Sequence, residues 1–303
     1  MATQPFNNQP RPMDFQTRSM RINKAWRTAT NQFISGLSIL ATVLVILPLI
    51  AILFYLVYKG TSSLNLAFFT RIPAPVGQEG GGMANSIVGS GIVLALASLM
   101  GIPIGIAAGV YLAEFGRGKT LATAIRFTAD VLNGVPSIVM GISIYSLIVI
   151  RQKHFSALAG GVALAIMMVP TITRTTEEML ATVPHAIREA ALGLGVPKWR
   201  TAISVSLRTA SPGIITGCML AFARVAGETA PLLFTAFGNS FWSFKLNEPI
   251  AALPLQIYVY ALSPYDEWHR LAWAGSLVLI VLIMVSVTLV RIFANRGVLK
   301  GGS

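Results

Sequence analysis

Six long apolar stretches constrain the fold of this chain more than any other feature of its sequence. As an α-helix rising about 1.5 Å per residue, each is long enough to cross about 30 Å of hydrocarbon. The sequence therefore predicts an all-α, polytopic membrane protein with six transmembrane helices, near residues 33–57, 86–112, 124–150, 155–181, 210–236 and 272–294.

The composition favours the same class and argues against several others. The chain is 54% hydrophobic and only 11% charged, whereas soluble domains are about 25% charged. On so apolar a chain, the net charge of +12 is better explained by membrane topology than by nucleic-acid binding. The single cysteine, Cys218, excludes an intramolecular disulfide and a cysteine metal cluster, and the three histidines match no metal-ligand or catalytic spacing. We therefore expect no catalytic residues, no metal site and no cofactor bound by this chain.

The distribution of Lys and Arg predicts the orientation. With the N-terminus in the cytoplasm, the cytoplasmic tail and loops carry more than twice as many of these residues as the opposite loops, as the positive-inside rule requires. Both termini are then cytoplasmic. We predict a basic cytoplasmic tail at 1–32 with a short surface helix at 18–30, a transmembrane domain at 33–296 that includes a cytoplasmic loop at 182–208, and a cytoplasmic C-terminus at 297–303.

The third apolar stretch contains a helix breaker. Asp130 is followed by Asn133-Gly134-Val135-Pro136, and the residue before a proline is biased away from the helical conformation. The sequence predicts a kinked or partly unwound span here. Asp130 either lines a polar pathway or satisfies polar groups at the kink.

The second apolar stretch is rich in glycine. Glycines allow helices to approach closely inside a membrane, where lipid provides no hydrophobic drive for association. We predict that this helix is packed within a bundle through its glycines, which are Gly89, Gly91, Gly101, Gly105 and Gly109.

The sequence Gly118-Lys119-Thr120 resembles the end of a phosphate-binding P-loop. A P-loop also requires a glycine five residues before Gly118, but this position is Ala113. The strand-and-helix context of a nucleotide-binding domain is also missing. We interpret the segment as a positively charged cytoplasmic loop and expect no ATP binding by this chain.

The cytoplasmic loop 182–208 predicts a short helix between Pro184 and Pro197. Apolar residues recur there at helical spacing, and Gly195 follows as a C-terminal stop. Such an amphipathic helix fits a groove on a soluble partner, although a plain connecting helix remains the alternative. The apolar stripe consists of Ile187, Ala190, Ala191 and Leu194.

The motif EAALGLG at 189–195, followed by Val205-Ser206-Leu207, resembles the EAA loop of ABC-importer permeases. The resemblance implies a coupling helix that docks on a separate ATPase subunit, with Glu189, Ala190, Ala191 and Gly195 as coupling residues. Many members have a proline after the leucine, but this chain has Arg208, which leaves open where the next helix begins.

The fifth apolar stretch carries two charges. Arg224 lies about 15 residues into the predicted span, where a cation costs roughly 2.5–3.5 kcal/mol on insertion scales. Glu228 follows at the i, i+4 spacing, so one helix face could hold both. Either the two side chains neutralise each other within the bundle, or Arg224 faces a pathway and binds the oxygens of a phosphate-like anion.

The sequence ARVAGETAPLLFTA at 223–236, with Phe241-Trp242 and SPYDEWHRLAWAG at 263–275, resembles the A-type permease subunits of bacterial phosphate-specific (Pst) ABC importers. This resemblance covers roughly residues 85–290. It implies a type I ABC permease of the inner membrane that imports inorganic phosphate. The implied partners are a sister permease in a heterodimer, two copies of an ATP-binding subunit that hold ATP and Mg²⁺, and an extracytoplasmic phosphate-binding protein. It also favours Arg224 and Glu228 as pathway residues.

Arg174 is a second pathway candidate, because the family also carries an arginine at this point of its fourth span. Glu177 and Glu178, at i+3 and i+4, could instead simply neutralise it. The rival functions are a permease for another oxyanion such as sulfate or molybdate, an ATPase-independent secondary transporter or channel, and a membrane-embedded enzyme, against which the missing catalytic residues argue.

Overall fold

The structure is a computed structural model that describes residues 15–76, 78 and 80–300, with the backbone alone for 15–25 and 293–300. The predicted tail before Phe15 and the last three residues lie outside this part of the chain. The described helices are α1 (Phe15–Thr61), α2 (Leu66–Thr70), α3 (Ala84–Val110), α4 (Thr120–Gly134), α5 (Ser137–Ile144), α6 (Ile150–Gln152), α7 (Ala157–Ala181), α8 (His185–Gly193), α9 (Lys198–Thr201), α10 (Leu207–Ala226), α11 (Ala230–Thr235), α12 (Leu253–Ala261) and α13 (Asp266–Lys300).

Three π-helical turns join helices or extend them. Tyr111–Phe115 continues α3, Tyr145–Val149 joins α5 to α6, and Ala202–Ser206 joins α9 to α10. The described residues contain no β-strand beyond one isolated bridge between Phe237 and Ile250. The predicted all-α class is therefore confirmed.

Five described helical segments are long and apolar enough to cross a membrane: Trp26–Thr61, Ala84–Phe115, Ala157–Ala181, Lys198–Ala226 and Asp266–Ile292. The predicted number of six is reached if the bent pair Thr120–Gly134 and Ser137–Gln152, which meet at 107°, counts as one span. The break falls at Val135-Pro136, where the sequence predicted it, because α4 cannot continue through the proline.

The fifth predicted span, 210–236, is wrong at its C-terminal end, because the helical segment stops before residue 236. The helical segment begins at Lys198, so Arg208 lies inside it, and it ends at Ala226. Gly227 and the two residues after it are not helical, and α11 begins only at Ala230. Hydropathy could not locate this end, because apolar residues continue on both sides of the break.

The chain divides into two compact units, residues 1–55 and 56–303. Most of α1 belongs to the first, and its continuous helix from Phe15 includes the predicted surface helix at 18–30. The core of the second unit lies between α3, α7 and α10, with buried side chains that include Val93, Leu164, Met168, Ile172, Ile214 and Val225.

Glycines of α3 allow its close contact with α7. A Cβ atom placed on Gly105 would lie 2.7 Å from Cβ of Ile172, and one on Gly101 would lie 3.1 Å from the carbonyl oxygen of Ala165. Gly91 differs, because nothing lies within 4 Å of its Cβ position. The predicted packing role is thus confirmed for Gly101 and Gly105 but not for Gly91.

Gly105→Ala should therefore destabilise the protein, whereas Gly91→Ala should not. Overpacking costs about 1–3 kcal/mol, while alanine at an open helical position gains up to about 1 kcal/mol over glycine. We expect a lower melting temperature of the detergent-solubilised protein for Gly105→Ala and an equal or higher one for Gly91→Ala. Equal melting temperatures for the two variants would contradict this packing.

Residues 237–252 pack over one end of the bundle. The backbone N–H groups of Ala157 and Leu158 at the start of α7 donate to the carbonyl oxygens of Glu248 and Leu246, at 3.0 and 2.9 Å. The side-chain amide of Asn85 donates to the carbonyl oxygen of Asn239 at 2.7 Å. These bonds satisfy helix-terminal donors that would otherwise lack partners and fix the segment that follows α11.

Candidate functional site

Arg224 lies in the last turn of α10, and Glu228 lies beyond the end of that helix. The N–H groups of Gly227 and Glu228 donate to the carbonyl oxygens of Arg224 and Val225, at 3.4 and 3.1 Å, so the helix tightens and stops between the two charges. The predicted pairing along one helical face is therefore wrong. Arg224 also lies in the last turn of its helical segment and not in its middle.

The guanidinium of Arg224 is exposed and Glu228 is half-buried. Neither forms a salt bridge with any other residue that the structure describes. The C-terminal end of a helix carries partial negative charge, which stabilises a cation there. The planar donors of Arg224 thus have no carboxylate partner among the described residues and can bind an anion.

The short helix α11 continues the chain after the break and packs against α5 and α7. A Cβ atom on Gly141 of α5 would lie 2.7 Å from Cα of Pro231, so these two helices touch through their backbones. Therefore α5, which follows the break after α4, meets α11, which follows the break after α10. Irregular backbone at membrane depth is tolerated where it is buried in protein or lines an aqueous cavity, which is the setting that a polar pathway needs.

Arg174 differs from Arg224 because it is fully engaged. Its Nε donates to Oδ1 of Asp130 at 2.9 Å, its Nη2 donates to the other carboxylate oxygen of Asp130, and its Nη1 donates to Oε2 of Glu177 at 3.2 Å. Nε of Arg126 donates to Oε1 of the same glutamate at 2.7 Å. Two cations and two carboxylates thus form a neutral network between α4 and α7.

The network decides between the two partners that the sequence offered for Arg174. Glu177 takes part, whereas Glu178 is exposed and forms no salt bridge within the described part of the chain. Sequence reasoning missed the Asp130 contact, because it crosses between helices. A pathway role for Arg174 stays a prediction, and the bonds that surround it are those of a residue linking α4 to α7.

The predicted short helix in the cytoplasmic loop is confirmed as α8, with Pro184 before it. Gly195 adopts φ of +79°, and the N–H groups of Gly195 and Val196 donate to the carbonyl oxygens of Leu192 and Ala191 at 2.9 and 3.2 Å. A left-handed residue with such bonds is a common helix ending, and it favours glycine.

The apolar stripe of α8 is largely uncovered. Of its predicted members, only Ala191 is buried, while Ile187, Ala190 and Leu194 are exposed, Leu194 by 85%. Glu189 is exposed on the same helix. A large apolar side chain exposed on a polar loop is typical of an interaction surface, so α8 has the geometry of a docking helix.

Gly195→Ala should weaken α8, whereas Gly193→Ala should not. A side chain at the left-handed position costs roughly 1–2 kcal/mol, while Gly193 has no positive φ and nothing within 4 Å of its Cβ position. If α8 docks, we expect about 5- to 30-fold weaker partner binding for Gly195→Ala, at 1.4 kcal/mol per tenfold, and unchanged or tighter binding for Gly193→Ala. The same affinity for both variants would contradict a role of this helix ending in docking.

Residues 101–297 match the family model described as binding-protein-dependent transport system inner membrane component. The proteins named phosphate transport system permease protein PstA from Yersinia pestis and Haemophilus influenzae are 47% and 44% identical to the chain. These alignments cover 92% and 88% of this chain and 95% of each relative. A relative named phosphate transport system permease protein PstA 1 from Mycobacterium tuberculosis is 31% identical over 98% of this chain and 97% of its own length.

Solved structures support the fold. A bacterial alginate ABC transporter matches with a TM-score of 0.58 at 13% identity, covering 89% of this chain and 96% of that chain. The MetNI methionine ABC transporter in an inward-facing conformation matches with a TM-score of 0.54 at 19% identity, covering 72% of this chain and 96% of that chain. At these identities the match concerns the fold alone.

Proposed function

Since the chain belongs to the family of binding-protein-dependent transport system inner membrane components, we propose that it is the membrane permease subunit of an ATP-driven importer of inorganic phosphate. The observation that carries the substrate assignment is the 47% identity, over 92% of the chain, to a phosphate transport system permease protein. The exposed guanidinium of Arg224 gives that assignment a chemical basis.

Arg224 is the residue we assign to phosphate. A guanidinium presents planar donors that match the oxygens of a phosphate in bidentate fashion. Glu228 lies just after the helix end and is half-buried. Its carboxylate would repel the anion and speed its release. A transport site needs such a balance, because an anion that is bound too tightly is not released.

The partners we propose are those of a binding-protein-dependent ABC importer. They are a sister permease that completes a heterodimer, two ATP-binding subunits that hold ATP and Mg²⁺, and an extracytoplasmic phosphate-binding protein. This chain binds no cofactor and catalyses no reaction. It would lie in the bacterial inner membrane with both termini in the cytoplasm, as the distribution of Lys and Arg favours.

The surface of α4 supports a neighbouring subunit. The side chain of Asp130 is 60% exposed, and Phe127 and Val131 are exposed beside it. A carboxylate that faced lipid would be costly at membrane depth. A protein or aqueous neighbour at this surface removes that cost.

We assign ATPase coupling to α8, with Glu189, Ala190, Ala191 and Gly195 as its coupling residues. ATP binding and hydrolysis on the partner subunits would move α8, and the permease pair would alternate between outward- and inward-open states. Energy transfer then requires that α8 bind the ATPase subunit and move with it.

The test is ATP-driven uptake of radiolabelled phosphate into vesicles that contain the assembled complex, with sulfate and molybdate as competing ions. We expect uptake only with MgATP and no competition by the other two anions. Uptake of sulfate or molybdate in place of phosphate would overturn the substrate assignment. Phosphate uptake without ATP would instead favour a secondary transporter.

A further inference from the structure

The largely enclosed side chain of Arg188 in α8 lies among the ends of three membrane helices. It is only 13% exposed. Its Nη2 donates to the carbonyl oxygen of Leu180 in the last turn of α7 at 2.5 Å, and its Nε donates to Oγ of Ser206, just before α10, at 3.3 Å. A third bond runs from Nη1 to the carbonyl oxygen of Val183 at 3.4 Å. One side chain thus ties the docking helix to α7 and α10.

The same guanidinium forms a salt bridge with α3. Its Nη2 lies 3.0 Å from Oε1 of Glu114, whose side chain is only 9% exposed. Glu114 belongs to the π-helical turn Tyr111–Phe115 that ends this membrane segment. Such turns are rare and occur frequently at functional sites.

A second contact joins the same turn to the cytoplasmic loop. Nζ of Lys198, the first residue of α9, lies 5.3 Å from the centre of the Phe115 ring, within the range of a cation–π interaction. The π-helical turn is therefore contacted by two residues of the loop 182–208. One is Arg188 of α8, and the other is Lys198 of α9, which follows α8 in the sequence. This arrangement leaves α8 little freedom to move independently of α3.

We propose that Arg188 and Glu114 form the joint through which movement of α8 is transmitted to α3, α7 and α10. They are positioning residues, because their described contacts are with each other and with the ends of the membrane helices. A buried, paired charge with several hydrogen bonds has one favoured geometry, and losing it leaves a buried group without a partner. Movement of α8 therefore carries the ends of the membrane helices with it. The inference rests on the proposed function of α8 as the coupling helix.

The first experiment compares uptake with ATP hydrolysis in vesicles that contain the assembled complex. The variants are Arg188→Gln, Glu114→Gln and the double variant, in which neither charge is left unpaired. We expect each complex to retain its ATPase subunits and to hydrolyse ATP, while phosphate uptake per ATP hydrolysed falls at least tenfold. Arg188→Lys keeps the charge opposite Glu114 but loses the forked donors, so its ratio should be intermediate.

Arg117→Gln is the matched control. Arg117 is exposed, lies close to Glu114 in the sequence and forms no salt bridge with another described residue. Its loss should leave the ratio of uptake to hydrolysis at the wild-type value. A wild-type ratio of uptake to hydrolysis in the double variant would contradict the proposed role of the Arg188–Glu114 pair. Loss of the ATPase subunits from all three charge-removing variants would overturn it as well, because the pair would then only hold α8 in place for docking.

A distance measurement separates this inference from the choice of substrate. Spin labels on cysteines at Arg117 and His185, both exposed, with Cys218 replaced by alanine, report the separation between α8 and the end of α3. We expect one narrow distance with and without ATP plus vanadate, and a broadened distribution in Arg188→Gln. Identical distributions in the two proteins would contradict the joint. If the wild type transported no phosphate, only the substrate assignment would fail.

Discussion

Replacing Arg224 with glutamine is expected to lower phosphate uptake at limiting phosphate at least tenfold while the complex stays assembled and its ATPase subunits stay active. The guanidinium is exposed, and it pairs with no carboxylate of the described chain. Removing it therefore leaves no buried partner uncompensated, and stability should not fall. The anion, however, loses one or two charge-assisted hydrogen bonds of about 1.5–3 kcal/mol each, which corresponds to at least a tenfold loss of affinity.

The measurement is ATP-driven phosphate uptake in vesicles, with assembly and ATP hydrolysis followed in the same samples. Arg224→Lys keeps the charge but not the planar fork, so it should retain part of the uptake. Arg208→Gln is the control, since Arg208 is exposed on the same helical segment, nearer its N-terminal end. Near-wild-type uptake by Arg224→Gln would remove Arg224 from the pathway.

Leu194→Asp should detach the ATPase subunits from the permease. Leu194 is 85% exposed at the end of α8, and burying a leucine is worth about 1.5–3 kcal/mol. The substitution loses this term and adds the cost of desolvating a carboxylate in the interface. Truncating an interface hot spot costs 2 kcal/mol or more. If Leu194 is such a residue, the affinity for the ATPase subunit should fall about 30-fold or more.

The affinity can be measured by titrating the purified ATP-binding subunit onto the permease pair in detergent. Leu194→Met keeps the apolar surface, so its affinity should remain within a few-fold of wild type. The melting temperature of the permease pair should not change in either variant, because the side chain has few neighbours in this chain. Wild-type binding by Leu194→Asp would show that the exposed end of α8 is not the docking surface.

Much of the site was accessible from local sequence. The prolines around α8 and the left-handed Gly195 follow from the conformations that these residues prefer, and the structure has both. The break between α4 and α5 at Val135-Pro136 follows from the same preferences. Arg224 stood out because a charge inside an apolar stretch is costly and therefore functional by default.

Contacts between distant segments were not accessible. The sequence allowed Arg224 to pair with Glu228, but the helix ends between them. It offered Glu177 and Glu178 to Arg174, of which Glu177 is a partner, and it missed the cross-helix partner Asp130. Arg188 was counted as a topology charge, although it is buried against Glu114. For Arg174 and Arg188 the missing information was which helix lies opposite, and for Arg224 it was where its helix ends.

The sequence by itself determined that this chain is a helical membrane protein, where its third span breaks and where the short helix α8 lies. These features depend on the length of apolar stretches and on local backbone preferences, which each segment carries alone. Only the tertiary structure decided that Arg224 forms no salt bridge with another described residue, that Arg174 is engaged and that Arg188 ties α8 to three membrane helices. Whether a charge is paired depends on which helices lie side by side, and helix packing in a membrane is set by close contacts of small residues across the bundle.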